Sequence, residues 1–243
     1  TQRLVVYPGK TRIDFVTHVE WNERETVMKV AFPTVIHASR ARFDIQFGSL
    51  ERPTTKNTSW EFAKFETVGH KWADLSESGY GAALLNDSKY GYDVHGGTLR
   101  LTLLKSANHP DYTADAGPQD FTYSLFLHEG EWYEAGVDRE SWELNDAPLV
   151  FAGDAELPAL FPANLPGVTI DAVKPAEEGN ALIVRLHEKE GRHAHVNLPA
   201  AFPFRTWRFC NLLERHEGEA HREKTIALEL RPFEIRTIKF QLA

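Results

Sequence analysis

The chain has 243 residues, 42% of them hydrophobic and 26% charged, the balance of a globular protein with room for one large β domain or two smaller ones. No apolar run reaches the about 18 residues of a membrane-spanning helix, and 27 Lys plus Arg against 35 Asp plus Glu leave a net charge of −8 with no basic cluster, which argues against nucleic-acid binding. The one cysteine, Cys210, excludes an internal disulfide framework and a Cys-based zinc finger, and it suits a reducing, cytoplasmic compartment.

The first residues, Thr1 to Tyr7, lack the apolar core and small-residue cleavage site of a signal peptide. Met28 is the only methionine, so a processed, trimmed or partial chain is expected. Residues 12–20 alternate, with Ile13, Phe15, Thr17 and Val19 on one face and Asp14, Val16 and His18 on the other. Residues 27–32 predict a second strand, and Phe43, Ile45 and Phe47 share one face of a third. The same rhythm continues at 99–103 and 121–126. Residues 131–144 place Trp132, Ala135, Arg139 and Trp142 at helical steps, predicting a short helix that Gly136 weakens.

Pro148, Pro158, Pro162 and Pro166 then interrupt any regular ladder. We therefore divide the chain into a first β domain at 1–150, a Pro-rich connector at 151–167 and a small C-terminal β-sandwich at 168–243. About five short strands are expected in that last part, among them 181–186, 225–230 and 235–240. The fold class is all-β, built of antiparallel sandwiches.

Residues 69–97 hold the densest chemistry. Five glycines (Gly79, Gly81, Gly91, Gly96, Gly97) are interleaved with Tyr80, Tyr90, Tyr92, Asp74, Glu77, Asn86, Asp87, Lys89, Asp93 and His95. Glycine permits tight turns, and Tyr, Asp, Asn and Lys supply flat faces and directional hydrogen bonds of the kind a sugar hydroxyl array needs. A solvated hairpin loop explains the same composition. Asp74 with Glu77, or Asp87 with Asp93, could form an acid/base pair, although 35 acidic residues make chance pairs abundant. His193 and His195 would share a strand face, with His187 nearby, but they lack the further ligands a metal requires. Ser76 and Ser78 lie in no nucleophile elbow, and Cys210 reads as a buried apolar residue.

The run Asn57-Thr58-Ser59-Trp60-Glu61-Phe62-Ala63-Lys64-Phe65-Glu66 is followed by Gly69-His70-Lys71-Trp72-Ala73-Asp74-Leu75-Ser76-Glu77 and by Leu85-Asn86-Asp87-Ser88-Lys89-Tyr90-Gly91-Tyr92-Asp93-Val94-His95-Gly96. This long motif resembles the C-terminal β region of α-mannosidases of glycoside hydrolase family 38, of the bacterial and yeast vacuolar or cytosolic type. Flanking stretches at 20–33, 101–111 and 232–237 resemble it too. The resemblance implies a supersandwich (galactose-mutarotase-like) portion, truncated at its start, followed by a small antiparallel β-sandwich. It implies that the zinc ligands, nucleophile and acid/base residue belong to a catalytic domain absent from this chain, which would itself be inactive.

The implied partners are that catalytic domain, a helical bundle and an oligosaccharide bearing terminal α-linked mannose, with no nucleic acid and no membrane. The implied substrate-binding residues are Asn86, Asp87, Lys89, Tyr90 and Tyr92, in a loop that either walls the substrate site or only buttresses the domain interface. A stand-alone carbohydrate-binding or interaction module is the alternative, with Trp72, Tyr80, Tyr90 and Tyr92 as its aromatic platform. A large exposed apolar patch would favour the part of a longer enzyme.

Overall fold

A computed structural model describes residues 1–154, 158–162 and 165–243, so part of the expected connector lies outside the described residues. The chain forms two compact units, Thr1–Gln46 with Leu50–Val150, and Phe47–Ser49 with Phe151–Ala243. It is all-β with antiparallel pairing, as its alternation predicts.

The chain opens with β1 (Gln2–Val6), β2 (Arg12–Trp21), β3 (Val27–Pro33), β4 (Arg40–Ile45) and β5 (Gly48–Pro53). Next come a single helical turn, α1 (Ser59–Phe62), then β6 (Thr67–Val68), β7 (Trp72–Glu77), β8 (Tyr80–Asn86) and β9 (Gly91–His95). The strands β10 (Thr98–Lys105) and β11 (Gly117–Glu129) precede the helices α2 (Trp132–Ala135) and α3 (Val137–Asn145). A seven-stranded sheet runs β1-β2-β11-β8-β7-β4-β5, and a four-stranded sheet runs β3-β10-β9-β6.

Side chains of both sheets share one core, including Phe43, Leu75, Leu84, Tyr92, Leu99, Leu101 and Phe121. Strand β8 explains how the larger sheet is buried on both faces. Its run Ala82-Ala83-Leu84-Leu85 is apolar without alternation, the pattern of a strand covered on two sides. Ala82 and Leu84 join that core, while Ala83 and Leu85 pack with Trp72, Phe126, Trp132 and Val137 in a second cluster on α2 and α3.

Two sequence expectations change here. The helix predicted over 131–144 is broken into two at Gly136, whose φ of 74° suits a residue without Cβ. Phe47 does not share the strand face of Phe43, because β4 ends at Ile45 and Phe47 sits in the following turn at φ 52°.

The second unit contains β12 (Val168–Pro175), β13 (Ala181–Glu188), β14 (Ala194–Pro199), β15 (Phe204–Cys210), β16 (His216–His221), β17 (Thr225–Leu230) and β18 (Ile235–Leu242). A five-stranded sheet, β12-β13-β18-β15-β16, accompanies the pair β14-β17 around a core that includes Leu186, Leu198, Trp207, Ile226 and Phe240. Seven strands replace the expected five or so. Strand β16, His-Glu-Gly-Glu-Ala-His, has no apolar alternation and forms as an exposed edge through its pairing with β15.

Candidate functional site

Strand β8 ends at Asn86 and β9 begins at Gly91, so residues 87–90 make the turn. Asn86 is buried and organises it. Its Nδ2 donates to the His70 carbonyl at 3.0 Å and to the Tyr92 hydroxyl at 2.5 Å. Its Oδ1 accepts from the backbone N–H of Ser88 at 3.0 Å and of Lys89 at 2.5 Å. The Tyr92 hydroxyl in turn donates to the His70 carbonyl at 3.1 Å. One amide therefore ties together the turn, the loop before β7 and the first residues of β9. The Asn86 carbonyl accepts from Asn145 Nδ2 at 2.9 Å, which brings in the end of α3.

Tyr92 is fully buried, edge-on to Phe43 with ring centroids 6.0 Å apart, and burial raises its phenol pKa above the ordinary tyrosine value. Gly69 makes room for it, since a Cβ there would lie 2.8 Å from the Tyr92 ring. The remaining predicted residues face outward. Asp87 Oδ2 accepts from the Thr122 N–H of β11 at 2.8 Å, and its Oδ1 accepts from Ser88 Oγ at 2.9 Å. Lys89 Nζ lies 4.5 Å from the Phe121 ring centroid, and burial lowers its pKa. Tyr90 is 59% exposed, with its ring at right angles to that of His70.

The turn borders a polar cavity of about 440 Å³, completed by Gln46, His70, Lys71 and Asn145. Lys71 is held in place by Asp44 at 3.0 Å and by the Trp142 ring at 4.6 Å. The cavity offers hydrogen-bond donors and acceptors around one exposed aromatic ring. Among the described residues its one carboxylate, Asp87, accepts from the Thr122 N–H, and the arrangement as a whole can hold a polar ligand by hydrogen bonds.

The acids considered for a catalytic pair take separate structural partners. Asp74 is buried, with Oδ2 2.7 Å from His128 Nε2 and Oδ1 accepting from Ser76 Oγ at 2.5 Å. Gly81 is required beside them, because a Cβ there would fall within 2.4 Å of His128 Nε2 and Ser76 Oγ. Glu77 accepts from the His37 N–H at 2.8 Å, and Asp93 pairs with Arg100 at 3.3 Å. His187 Nδ1 lies 2.9 Å from Asp171, and His195 is exposed on β14 near Glu229. Among the described residues no three His, Cys, Asp or Glu side chains are grouped to hold a metal ion. Cys210 is buried, which raises its thiol pKa.

Residues 1–113 match the glycosyl hydrolases family 38 C-terminal domain, and residues 167–238 match the glycosyl hydrolases family 38 C-terminal beta sandwich domain. The chain belongs to glycosyl hydrolase family 38, as C-terminal sequence of that family. Alpha-mannosidase G of Dictyostelium discoideum is 40% identical over 250 residues, which cover 98% of this chain and 23% of that protein. Alpha-mannosidase 2C1 of Homo sapiens is 39% identical, covering 97% and 24% respectively. The crystal structure of an alpha-mannosidase from Enterococcus faecalis V583 shares the fold, with a TM-score of 0.79 at 20% identity over 98% of this chain and 28% of that one. The chain thus spans about a quarter of the length of the curated relatives it matches.

Within this family 38 chain, the four-ring platform of the alternative reading does not exist. Trp72 is interior, stacked on Trp132 with centroids 5.0 Å apart, and Tyr92 is interior as well. Only Tyr80 and Tyr90 reach the surface. Sequence reasoning missed Asn145 and the Asp44–Lys71–Trp142 group. Asn145 lies 59 residues from Asn86, and no local pattern links the two. No helix of the described residues is long and apolar enough to cross a membrane.

Proposed function

We propose that this chain is the non-catalytic C-terminal part of a zinc-dependent, retaining α-mannosidase that removes terminal α-linked mannose from oligosaccharides in the cytoplasm. The observation that carries the reading is the match of 98% of the chain, at 40% identity, to about a quarter of a protein named as an alpha-mannosidase. Its role is to scaffold the catalytic domain and helical bundle and to wall one side of the substrate site. The 440 Å³ cavity at the turn after β8 supports that role, because its size and mixed donors and acceptors suit a sugar residue.

The residues divide by depth. Lys89 and Tyr90 stand on the rim and contact the sugar. Asp87 ties the rim to β11, while Asn86 and Tyr92 hold the turn from below. In this reading the zinc is held by the catalytic domain of the full-length protein. This division of labour leaves the chain alone inactive.

Hydrolysis of a chromogenic α-mannoside, with zinc added, tests the reading on this chain and on a full-length polypeptide that includes it. Activity in the full-length protein alone is expected, and activity in the chain alone overturns the reading. In the full-length protein, Lys89→Met should raise KM by roughly tenfold with little change in kcat, the signature of lost binding shared by ground and transition states.

A further inference from the structure

The cavity beside the turn after β8 is lined by a donor and an acceptor that the fold holds in place and does not use up. The donor is Lys71. Its backbone N–H and its Nζ both donate to Asp44 Oδ2, at 2.9 and 3.0 Å, and its carbonyl accepts from the Asn86 N–H at 2.9 Å. The Trp142 ring centroid lies 4.6 Å from Nζ. A long, flexible side chain is thus fixed at both ends, and the entropy of ordering it is lost on folding rather than on binding. An ammonium carries three N–H groups. Asp44 takes one, and no other described residue accepts a hydrogen bond from Nζ.

The acceptor is Asn145. Its Nδ2 donates to the Asn86 carbonyl at 2.9 Å and to the Ser141 carbonyl at 2.8 Å. These two bonds fix which way the amide faces, because a flipped amide would set its oxygen against two carbonyl oxygens. Its Oδ1 is left to accept, with no partner among the described residues. Trp142 and Asn145 are one turn apart on α3 and share a face of it. The helix that lays a ring on Lys71 therefore also brings the amide oxygen to the same cavity.

A hydroxyl suits such a pair, since it accepts through its oxygen and donates through its hydrogen. A carboxylate or phosphate oxygen would accept from Lys71 but meet Asn145 Oδ1 as a second acceptor. An amine or ammonium would satisfy Asn145 but meet the Lys71 charge. We propose that Lys71 and Asn145 clamp one hydroxyl of the oligosaccharide substrate, with Lys71 Nζ donating to the hydroxyl oxygen and Asn145 Oδ1 accepting its hydrogen, so that the presence of that hydroxyl decides which sugars are taken. The proposal deepens the reading of this cavity as one wall of the substrate site and rests on it.

The full-length α-mannosidase tests the clamp. The substrates are the α-linked dimannoside it hydrolyses fastest and analogues that each lack one hydroxyl on either ring. Lys71→Met and Asn145→Ala should each raise KM for the dimannoside by about tenfold with little change in kcat. One deoxy analogue should have a kcat/KM about tenfold below that of the dimannoside in the unaltered enzyme, and the same analogue should lose that disadvantage in both variants, because the bond can be removed only once. A purely structural role for the two residues would leave every analogue's disadvantage unchanged. That result overturns the proposal, as does a KM within about twofold of the unaltered enzyme in both variants. Lys71→Met strands the Asp44 carboxylate, so Asp44→Asn combined with Lys71→Met is measured beside it and should show the same loss of discrimination.

The unaltered full-length protein keeps the two readings apart. If it hydrolyses α-mannosides and the variants discriminate as it does, the proposed function stands and the clamp falls. If it hydrolyses none, calorimetric titration with the same dimannosides decides. Affinity that depends on one hydroxyl in the unaltered protein and not in the variants keeps the clamp without the reaction, and affinity without that dependence overturns it.

Discussion

The turn 86–92 and the segment 57–65 use the same device with opposite results. In both, polar side chains collect backbone N–H groups: Asn86 takes those of Ser88 and Lys89, while Thr58 takes that of Glu61 and Glu61 that of Asn57. In the first, the aromatic residue so positioned, Tyr92, points into the shared core, and the polar atoms form a cavity rim. In the second, Trp60 and Phe62 point out, and none of the described residues covers them. Side-chain-to-backbone bonds set the path of a loop. The direction in which its apolar groups fall decides whether that surface is complete.

The sharpest way to break the comparison is Asn86→Ala. It leaves two backbone N–H groups, the His70 carbonyl and the Tyr92 hydroxyl short of partners, and should cost about 3 kcal/mol in urea unfolding of this chain. Tyr92→Phe keeps the ring in the core and removes only the hydroxyl, so about 1 kcal/mol is expected.

That variant also has a pH signature. The folded pKa of Tyr92 is raised above the ordinary 10.0, so the folded state keeps its proton where the unfolded state loses it. Stability should be intact below pH 10 and fall as pH rises beyond it, and Tyr92→Phe should flatten that fall in unfolding curves taken from pH 8 to 11. Tyr123 shifts in the same direction, so part of the slope should remain.

Asn145→Ala should cost about 1 kcal/mol, since it removes one link between α3 and the turn and leaves the Asn86 amide contacts in place. The smallest effect belongs to the other region. Trp60→Ser should change the stability of this chain by no more than about 0.5 kcal/mol, because an exposed ring contributes little to folding. A loss near that of Tyr92→Phe would mean that the two regions do not differ as described.

Much of the fold was legible in the residues. Alternation at 99–103, 121–126, 181–186 and 225–230 falls within β10, β11, β13 and β17, because a half-buried pleated strand needs that period. Strand β16 was not legible, since an exposed edge carries no apolar signal. Gly136 was read as a weakness in one helix, whereas its left-handed conformation ends one helix and starts the next. In the candidate site, the composition of 86–92 marks a polar turn, but burial could not be read from it. Tyr90 and Tyr92 are two residues apart and chemically alike, yet one is on the surface and the other in the core.

By itself the sequence determined an antiparallel all-β chain, a polar turn rich in Asn, Asp, Lys and Tyr, and a motif of family 38. These follow from local periodicity and residue type, which act over a few residues. Only the tertiary structure decided that Asn86 and Tyr92 lie beneath the cavity while Lys89 and Tyr90 rim it. It alone brought Asn145 to the turn and turned Asp74 inward to His128. Those outcomes depend on which sheet or helix covers each face, and that covering comes from segments tens of residues away.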